Sequence, residues 1–561
     1  MRVATTPDVD ASVTPPTTPP DQGRSGAWWV GVGIFLSRIS GLVREVVLAR
    51  FFGTSAVADV WRAALRTPNV IQNLLGEGTL SASFIPVYVE FLEQGREEEA
   101  GRFAGAILGL LMVTAFAAAL IGIALAPLVM PVMFPRFEVA QVDLLVRVVR
   151  ILFVMTAILV VSAWALGVLN SHRRFLVSYA APVAWNGALI AAMVWFGGVG
   201  GWEPERLIIA LAWAGVAGGV LQLLVQLPWV VPALRGFRLS LDLRVHGVSE
   251  AIRNFGPVVA ARGVLNISSL VDIVLAGLLA SGAVAVLGYA QTLYLFPISL
   301  FGMSVAAAEL PEMSRRRGDE REVLAARVRS ALDRLAFLLV PTTVAFLLLG
   351  DLFVSTLFEG GRFTASSTAA TYIVLAAYTL GLPASAASRT LSSSFYALRD
   401  TRTPAMIAVV RVVVSAAVGL ALMFPLDTFT VGEGDDLLRL GAVGLAMGAA
   451  LGSWLEYGLL RHRLTGMIGA HGPEMRRGIR RWVAAAAGGV VAVGAKWFGG
   501  SLVPYRAGWA ETLLGAGSPW LGGVLALGTA LAFGVTYLVV AQLLGVGMPL
   551  GSILRRGRAA R

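Results

Sequence analysis

Cysteine is absent from this 561-residue chain, which excludes a disulfide framework, a thiolate metal site and a thiol nucleophile. Lysine is nearly absent as well, for Lys496 is the only one and arginine carries the rest of the basic charge. Charged residues of every kind make up 14% of the sequence, whereas soluble domains hold roughly a quarter. So little polar surface cannot cover a globule of this size in water. The four histidines, His172, His246, His462 and His471, fall between apolar runs and are too scattered for a zinc site. No glycine-rich loop ends in Lys-Ser or Lys-Thr, so nothing supports nucleotide hydrolysis.

What remains is apolar. Hydrophobic residues make up 57% of the chain and the mean hydropathy is +0.75, the composition of a polytopic all-α membrane protein. The net charge of +11 would suggest nucleic acid in a soluble protein. Here the arginines sit in short loops between apolar runs, where they read as a topology signal and not as a nucleic-acid patch. The first 26 residues, rich in Pro and Thr (Thr14 to Pro20), read as a disordered tail with no signal-peptide core.

A span needs about 20 mostly apolar residues. On that criterion about fourteen segments qualify, near 28–50, 57–91, 103–133, 143–169, 176–198, 206–233, 256–280, 284–310, 323–349, 367–397, 404–424, 438–460, 482–499 and 520–546. Every second loop is basic: His172-Arg173-Arg174, Arg235 to Arg244, Arg315 to Arg317, Arg399 to Arg402, Arg461 to Arg481, and the tail Arg555 to Arg558. The loops between them are neutral or acidic, as in Glu433 to Asp436. The positive-inside rule then places the basic loops and both termini in the cytoplasm.

An internal repeat emerges at a constant offset of 229: Gly53 with Gly282, Pro68 with Pro297, Leu169 with Leu398 and Arg173 with Arg402. With four residues gapped, Ala82, Ile85 and Pro86 pair with Ala307, Leu310 and Pro311. Each pair lies six spans apart, so the two halves run parallel, a known transporter plan. The expected organisation is a tail (1–26), an N-terminal lobe (27–234, spans 1–6) and a C-terminal lobe (235–464, spans 7–12). Two appended spans and a basic tail follow (465–561), and the lobes flank a central cavity.

Charges inside spans are costly and usually face protein or water. Span one carries Arg38, Arg44 and Glu45; span two carries Asp59, Arg62, Arg66 and Glu77. Arg38 and Arg44, with guanidinium forks suited to phosphate oxygens, are candidates for binding an elongated anion such as a diphosphate. The competing reading pairs Arg38 with Asp59 and Arg44 with Glu77 as internal ties. Gly76 and Gly78 flank Glu77 midway along an overlong segment and favour a break, and Pro68 favours a kink. Beyond these, Arg262 and Asp272 lie on span seven, Arg389 on span ten, Arg411 on span eleven and Glu456 on span twelve. Asp272 is a candidate ligand for a coupling cation. It lies about 15 Å along the helix from Arg262, too far for a direct bridge.

The stretch Ser37 to Glu45, then Ala49 to Gly53, Ala58-Asp59, Pro68-Asn69, Gly76-Glu77-Gly78 and Phe84-Ile85-Pro86, closely resembles the MurJ/MviN lipid II flippase family. Leu169 to Ser171, Gly256-Pro257, Arg362 to Thr364, Phe395-Tyr396 and Thr403-Pro404 agree with it. The resemblance implies the fourteen-helix fold of the multidrug/oligosaccharidyl-lipid/polysaccharide exporters. It implies alternating access that carries an undecaprenyl-diphosphate-linked disaccharide-pentapeptide between leaflets of the bacterial cytoplasmic membrane. The family's functional residues fall on Arg38, Arg44, Asp59 and Glu77, and a sodium-binding acid found in some members falls on Asp272. Lipid II, membrane lipids and other cell-wall synthesis proteins are the implied partners. No resident cofactor is implied; a coupling ion such as sodium, or the membrane potential, would drive the cycle.

The chain departs from the family at two places. A basic residue common in span two is Gln72 or Asn73 here, and an Asp-Arg pair common in span eight is Gln291-Thr292. Arg262 is the candidate to replace the lost span-eight charge. Two other functions stay open on the sequence: an exporter of another lipid-linked oligosaccharide or a drug, and a membrane scaffold that transports nothing.

Overall fold

The computed structural model describes residues 22–299, 321–398, 400–432, 434, 437–472, 474–499 and 521–546; for 22–30, 77, 257, 260–262, 264–265, 267–269, 321, 499 and 521 it describes the backbone only. The Arg315–Arg317 loop, Leu310-Pro311, Arg399, the acids 433, 435 and 436, the N-terminal tail before residue 22 and the Arg555–Arg558 tail lie outside the described residues.

The chain is helical almost throughout. In order come α1 (Gln22–Phe52), α2 (Ala56–Leu75), α3 (Glu77–Ser83), α4 (Ile85–Glu93), α5 (Glu97–Met133) and α6 (Val139–Ser171). Next are α7 (Phe175–Ala180), α8 (Pro182–Ala192), which runs into a π-helical turn, α9 (Pro204–Val230), α10 (Val248–Ala276) and α11 (Ala283–Pro297). The remainder are α12 (Arg321–Phe358), α13 (Ala365–Thr379), α14 (Leu382–Ala397), α15 (Arg402–Leu426), α16 (Gly441–Ile468), α17 (Met475–Gly499) and α18 (Leu521–Leu543). A two-stranded antiparallel hairpin, Thr430–Val431 with Leu438–Arg439, interrupts α15 and α16.

Each of the fourteen expected spans falls on a helix or a broken helix where it is described. Among the described residues eight helices are long and apolar enough to cross a membrane, and nine if α13 and α14, bent by 45° at their junction, form one span. The other expected regions are α1, the α2–α4 run, α10, α11 and α17. They are helical but charged, broken or short, and two of them, α1 and α11, line the cavity described below. Helices also outrun the apolar stretches that announced them. The expected end at 460 becomes Ile468, so His462 lies inside α16 and not in a loop. Arginine is a good helix former and continues a helix into water.

In the first half α6 packs on α2, α5 and α9, α8 on α9, and α1 on α7 and α8. In the second, α11 and α12 pack on α13, α14 on α12 and α16, and α15 on α16. The halves meet where α10 and α11 cross α2. The last two helices pack on each other and on α12 around Phe337, Val344, Phe533 and Tyr537. Two ion pairs tie α17 to α12: Lys496 to Asp351 at 2.5 Å and Arg481 to Asp333 at 2.9 Å.

The segment joining the halves does not hang free. Gly101, Gly105 and Gly109 form one face of α5, and a Cβ at each would stand 1.9–2.1 Å from the carbonyl oxygens of Arg235, Arg238 and Ser240. Only bare backbone permits that approach. The linker is thereby strapped along α5, and Arg235 pairs with Glu97 at 2.8 Å at its start.

Candidate functional site

A cavity of about 440 Å³ opens at the seam of the halves, lined from the first half by Ser37, Arg38, Arg44 and Tyr179 and from the second by Thr292 and Phe296. Arg38, exposed toward this space, has no carboxylate within salt-bridge distance among the described residues. Arg44 is held. Its guanidinium donates to Glu45 at 2.6 Å and to Asn186 at 3.0 Å, and it stacks over Trp185 at 4.9 Å. Asn186 is fixed in turn by donating to Ser40 at 2.8 Å.

Glu45 is the hub of this arrangement. It is 4% exposed, and its second oxygen accepts from Arg62 at 2.5 Å. Arg62 lies over the Tyr289 ring at 4.5 Å, and Gly288 makes room for it, since a Cβ there would stand 2.8 Å from its Nε. One buried carboxylate between two guanidiniums leaves the cluster with a net positive charge, which favours an anion nearby.

These pairings correct two expectations. Arg44 finds a carboxylate on its own helix, Glu45, while the side chain of Glu77 lies outside the described residues. Asp59 does not reach the cavity and does not meet Arg38. It is 1% exposed, and its oxygens accept the backbone N–H groups of Gly282 at 2.6 Å and Ala285 at 2.7 Å. It therefore caps the N-terminus of α11 across the seam, where free amide donors and the helix dipole favour a carboxylate. Gly282 caps that helix with φ +91°, and its repeat partner Gly53 has φ +56°. Around Asp59 the same end of the molecule is closed by further ties. Tyr289 donates to the Gly53 carbonyl at 3.0 Å, the Arg362 amide donates to the Arg50 carbonyl at 2.9 Å, and Thr54 and Ser367 share a hydroxyl bond of 2.7 Å.

The other expected residues divide. Gly76 ends α2 and begins α3 in an extended conformation (φ −90°, ψ −151°), so the second span is broken there; Gly78 lies inside α3. Pro68 is buried within a continuous α2. Glu77 is the first residue of α3 and Arg262 lies in α10, and both side chains are outside the described residues. Asp272 faces Arg411 and Arg66, and Arg411 is paired with Glu456 at 3.1 Å. Among the described residues no three His, Asp or Glu side chains come together, and the guanidiniums of Arg66 and Arg411 beside Asp272 oppose a cation. Among the described residues, the charges beside Asp272 do not suit a sodium ion. The neutral substitutions have partners: Asn73 donates to Asn266 at 2.9 Å and Gln291 to the Tyr378 hydroxyl at 2.9 Å. Outside the membrane spans, burial pushes His172 below the usual imidazole range, so it stays neutral at pH 7 beside the Tyr88 hydroxyl, 3.1 Å away.

Glu45 and Arg62, which the sequence marks only as charges within spans, and Asn186, which it does not mark, complete the cluster around Arg44. Glu45 adjoins Arg44, and adjacent helical residues seldom face each other, so the pairing carried no pattern to read.

Two packed halves, a basic cavity on their seam and broken helices beside it are the architecture of a membrane transporter. Solved structures share the fold. A lipid II flippase MurJ in an inward closed conformation aligns with a TM-score of 0.70 at 20% identity, covering 92% of this chain and 98% of that one. An inward-facing multidrug resistance MATE family transporter of the MOP superfamily aligns at 0.62 and 15% identity, covering 79% and 98%. A family model described as lipid II flippase MurJ matches residues 48–499. A probable lipid II flippase MurJ of Rhizobium tropici is 30% identical over 547 residues, 95% of this chain and 96% of that protein. The lipid II flippase MurJ of Burkholderia cenocepacia is 32% identical over 446 residues, 76% of this chain and 82% of that protein. The chain belongs to the lipid II flippase MurJ family.

Proposed function

We propose that this protein carries undecaprenyl-diphosphate-linked peptidoglycan precursor, lipid II, from the inner to the outer leaflet of the bacterial cytoplasmic membrane by alternating access. The observation that carries the reading is Arg38, a cavity-facing guanidinium with no carboxylate partner among the described residues, beside Arg44, which Glu45 and Asn186 hold in position. Such a pair suits a diphosphate, which a cationic drug would not.

In this reading the basic loops and both termini are cytoplasmic. The ties around Asp59 then close the outer end, and the headgroup enters from the cytoplasm. Bound diphosphate neutralises the arginines, the Asp59 latch parts, and the break at Gly76 lets α2 and α3 change angle as the cavity turns outward. No bond is made or broken, so the protein is a transporter and not an enzyme.

The membrane potential supplies the drive. Outward movement of an anion from a negative interior is favourable by about 2.3 kcal/mol per charge per 100 mV, and Asp272, facing arginines, adds no need for sodium. The lipid tail stays in the bilayer, and other cell-wall synthesis proteins consume the product. Complementation tests the reading: the gene should sustain growth of a bacterium depleted of its own lipid II flippase. Failure to do so, with the protein present in the membrane, would refute it.

A further inference from the structure

Arg147 and Arg150 belong neither to the cavity nor to the basic loops. Both lie on α6, whose last turn runs into the basic loop His172 to Arg174. In the topology proposed above, the first turns of α6 therefore stand at the outer side of the membrane, where the positive-inside rule gives no reason for arginine. Their direction is fixed by a neighbour on the same helix. Gln141 donates to the Ala56 carbonyl of α2 at 3.1 Å, toward the interior of the first half. Arg150 follows it by about two and a half turns and so points the opposite way. Asp143, Arg147, Arg150 and Val154 form the exposed stripe of α6. Beside it on α5, Leu120, Ile121, Leu125 and Leu128 are 45–69% exposed. In a membrane protein such a surface meets lipid.

A defect in α5 holds the Arg150 side chain in place. Pro127 has no N–H, so the Ile123 carbonyl, one turn earlier, loses its helical donor. An orphan carbonyl beside lipid is costly, and Arg150 Nε donates to this one at 3.2 Å. The two helices come close because Gly122 has no side chain: a Cβ there would stand 2.3 Å from the Phe153 ring. One donor of Arg150 is thereby committed to the protein. Its terminal amino groups, and the guanidinium of Arg147 one turn further out, have no carboxylate within salt-bridge distance among the described residues; Asp143 pairs with neither. Ile123 lies about 15 Å along α5 from its outer end at Met133. The whole of α5, 37 residues, is about 55 Å long against about 40–45 Å for a bilayer with its headgroups. Arg150 therefore stands near the depth where acyl chains give way to headgroups, and both arginines reach the phosphate layer by extending outward.

We propose that Arg147 and Arg150 form a binding site for the phosphate of an outer-leaflet phospholipid, whose acyl chains lie along the exposed apolar face of α5. Guanidinium forks suit phosphate oxygens, and the bond to Ile123 holds one fork in position before the lipid arrives. The site is separate from the transport cavity and shares with the transport reading only the sidedness of the basic loops.

The test uses the full-length chain in a neutral sugar detergent, where no other phosphate competes. The chain has no cysteine, so Val154→Cys, on the same exposed stripe as Arg150, carries a single fluorophore. Spin-labelled phosphatidylglycerol and a spin-labelled diacylglycerol with the same acyl chains are titrated as quenchers. Phosphatidylglycerol should reach half-quenching at about a fivefold lower concentration than the diacylglycerol, the scale of an exposed charge contact. Arg147→Gln should remove most of that preference and leave the unfolding temperature unchanged, and the Arg147→Gln, Arg150→Gln double variant should abolish the preference. Equal quenching by the two lipids in the parent would overturn the proposal, as would a preference undiminished in the double variant. A lowered unfolding temperature in Arg147→Gln would mark a structural residue and overturn it too. Unlabelled undecaprenyl diphosphate displacing the quencher more strongly than unlabelled phosphatidylglycerol does would assign the site to the transported lipid and overturn the phospholipid assignment. Failure of the transport reading would leave these quenching curves as they are, so the two can fail separately.

Discussion

Asp59 holds the two halves together where the cavity is closed, and its replacement should loosen that closure measurably. Its carboxylate accepts two amide N–H groups at 2.6 and 2.7 Å from residues more than two hundred positions away. Hydrogen bonds to a charged acceptor are worth about 1.5–3 kcal/mol each. Asp59→Asn keeps one acceptor but turns an amide N–H₂ toward the other donor and removes the charge at the helix N-terminus. The expected loss is about 2–3 kcal/mol, or roughly a 30- to 140-fold shift toward the parted state. The chain has no cysteine, so a single Thr292→Cys probe in the cavity wall reports access cleanly. In intact cells an impermeant thiol reagent added outside should label Thr292→Cys faster by a large factor when Asp59→Asn is present. Equal labelling rates, with both proteins equally abundant in the membrane, would show that Asp59 does not hold the outer end shut.

Other outcomes follow from the same geometry. Arg38→Lys should express normally yet lose much of its lipid II binding, since its role is to offer a fork; full binding would remove it from the site. Arg44→Lys should lose binding and also stability, by about 1–3 kcal/mol, because contacts to both Glu45 and Asn186 go; an unchanged unfolding midpoint would contradict the hub at Glu45. Gly76→Leu would place a side chain where a Cβ already stands 2.3 Å from the Gln72 carbonyl, so flipping should fall while insertion persists; normal flipping would dispose of the hinge. Replacing sodium with potassium should leave transport unchanged, because Asp272 faces guanidiniums; a sodium requirement would show that those arginines move aside.

Much of this was legible in the sequence because the membrane enforces it. Apolar length announced the spans, Gly76-Glu77-Gly78 announced the break, and the cost of intramembrane charge singled out Arg38 and Arg44. What stayed hidden depends on how helices are rotated and brought together. Asp59 looked like a cavity acid because hydropathy cannot say that its partners are the amides of a helix in the other half. Arg44 and Glu45 are neighbours in sequence, and only the buried position of Arg62 draws them into one cluster. Asp272 kept the look of a cation ligand until Arg66 and Arg411 were found facing it.

The central claim is that the chain moves a lipid-linked diphosphate across a bilayer by the arginines of this cavity. Purified protein in liposomes carrying lipid II on both leaflets, with an inside-negative potential imposed, should expose inner-leaflet lipid II to an external enzyme that cleaves its headgroup. Arg38→Ala should expose no more than protein-free liposomes do. Exposure by the variant equal to that of the parent, or none by the parent itself, would contradict the account.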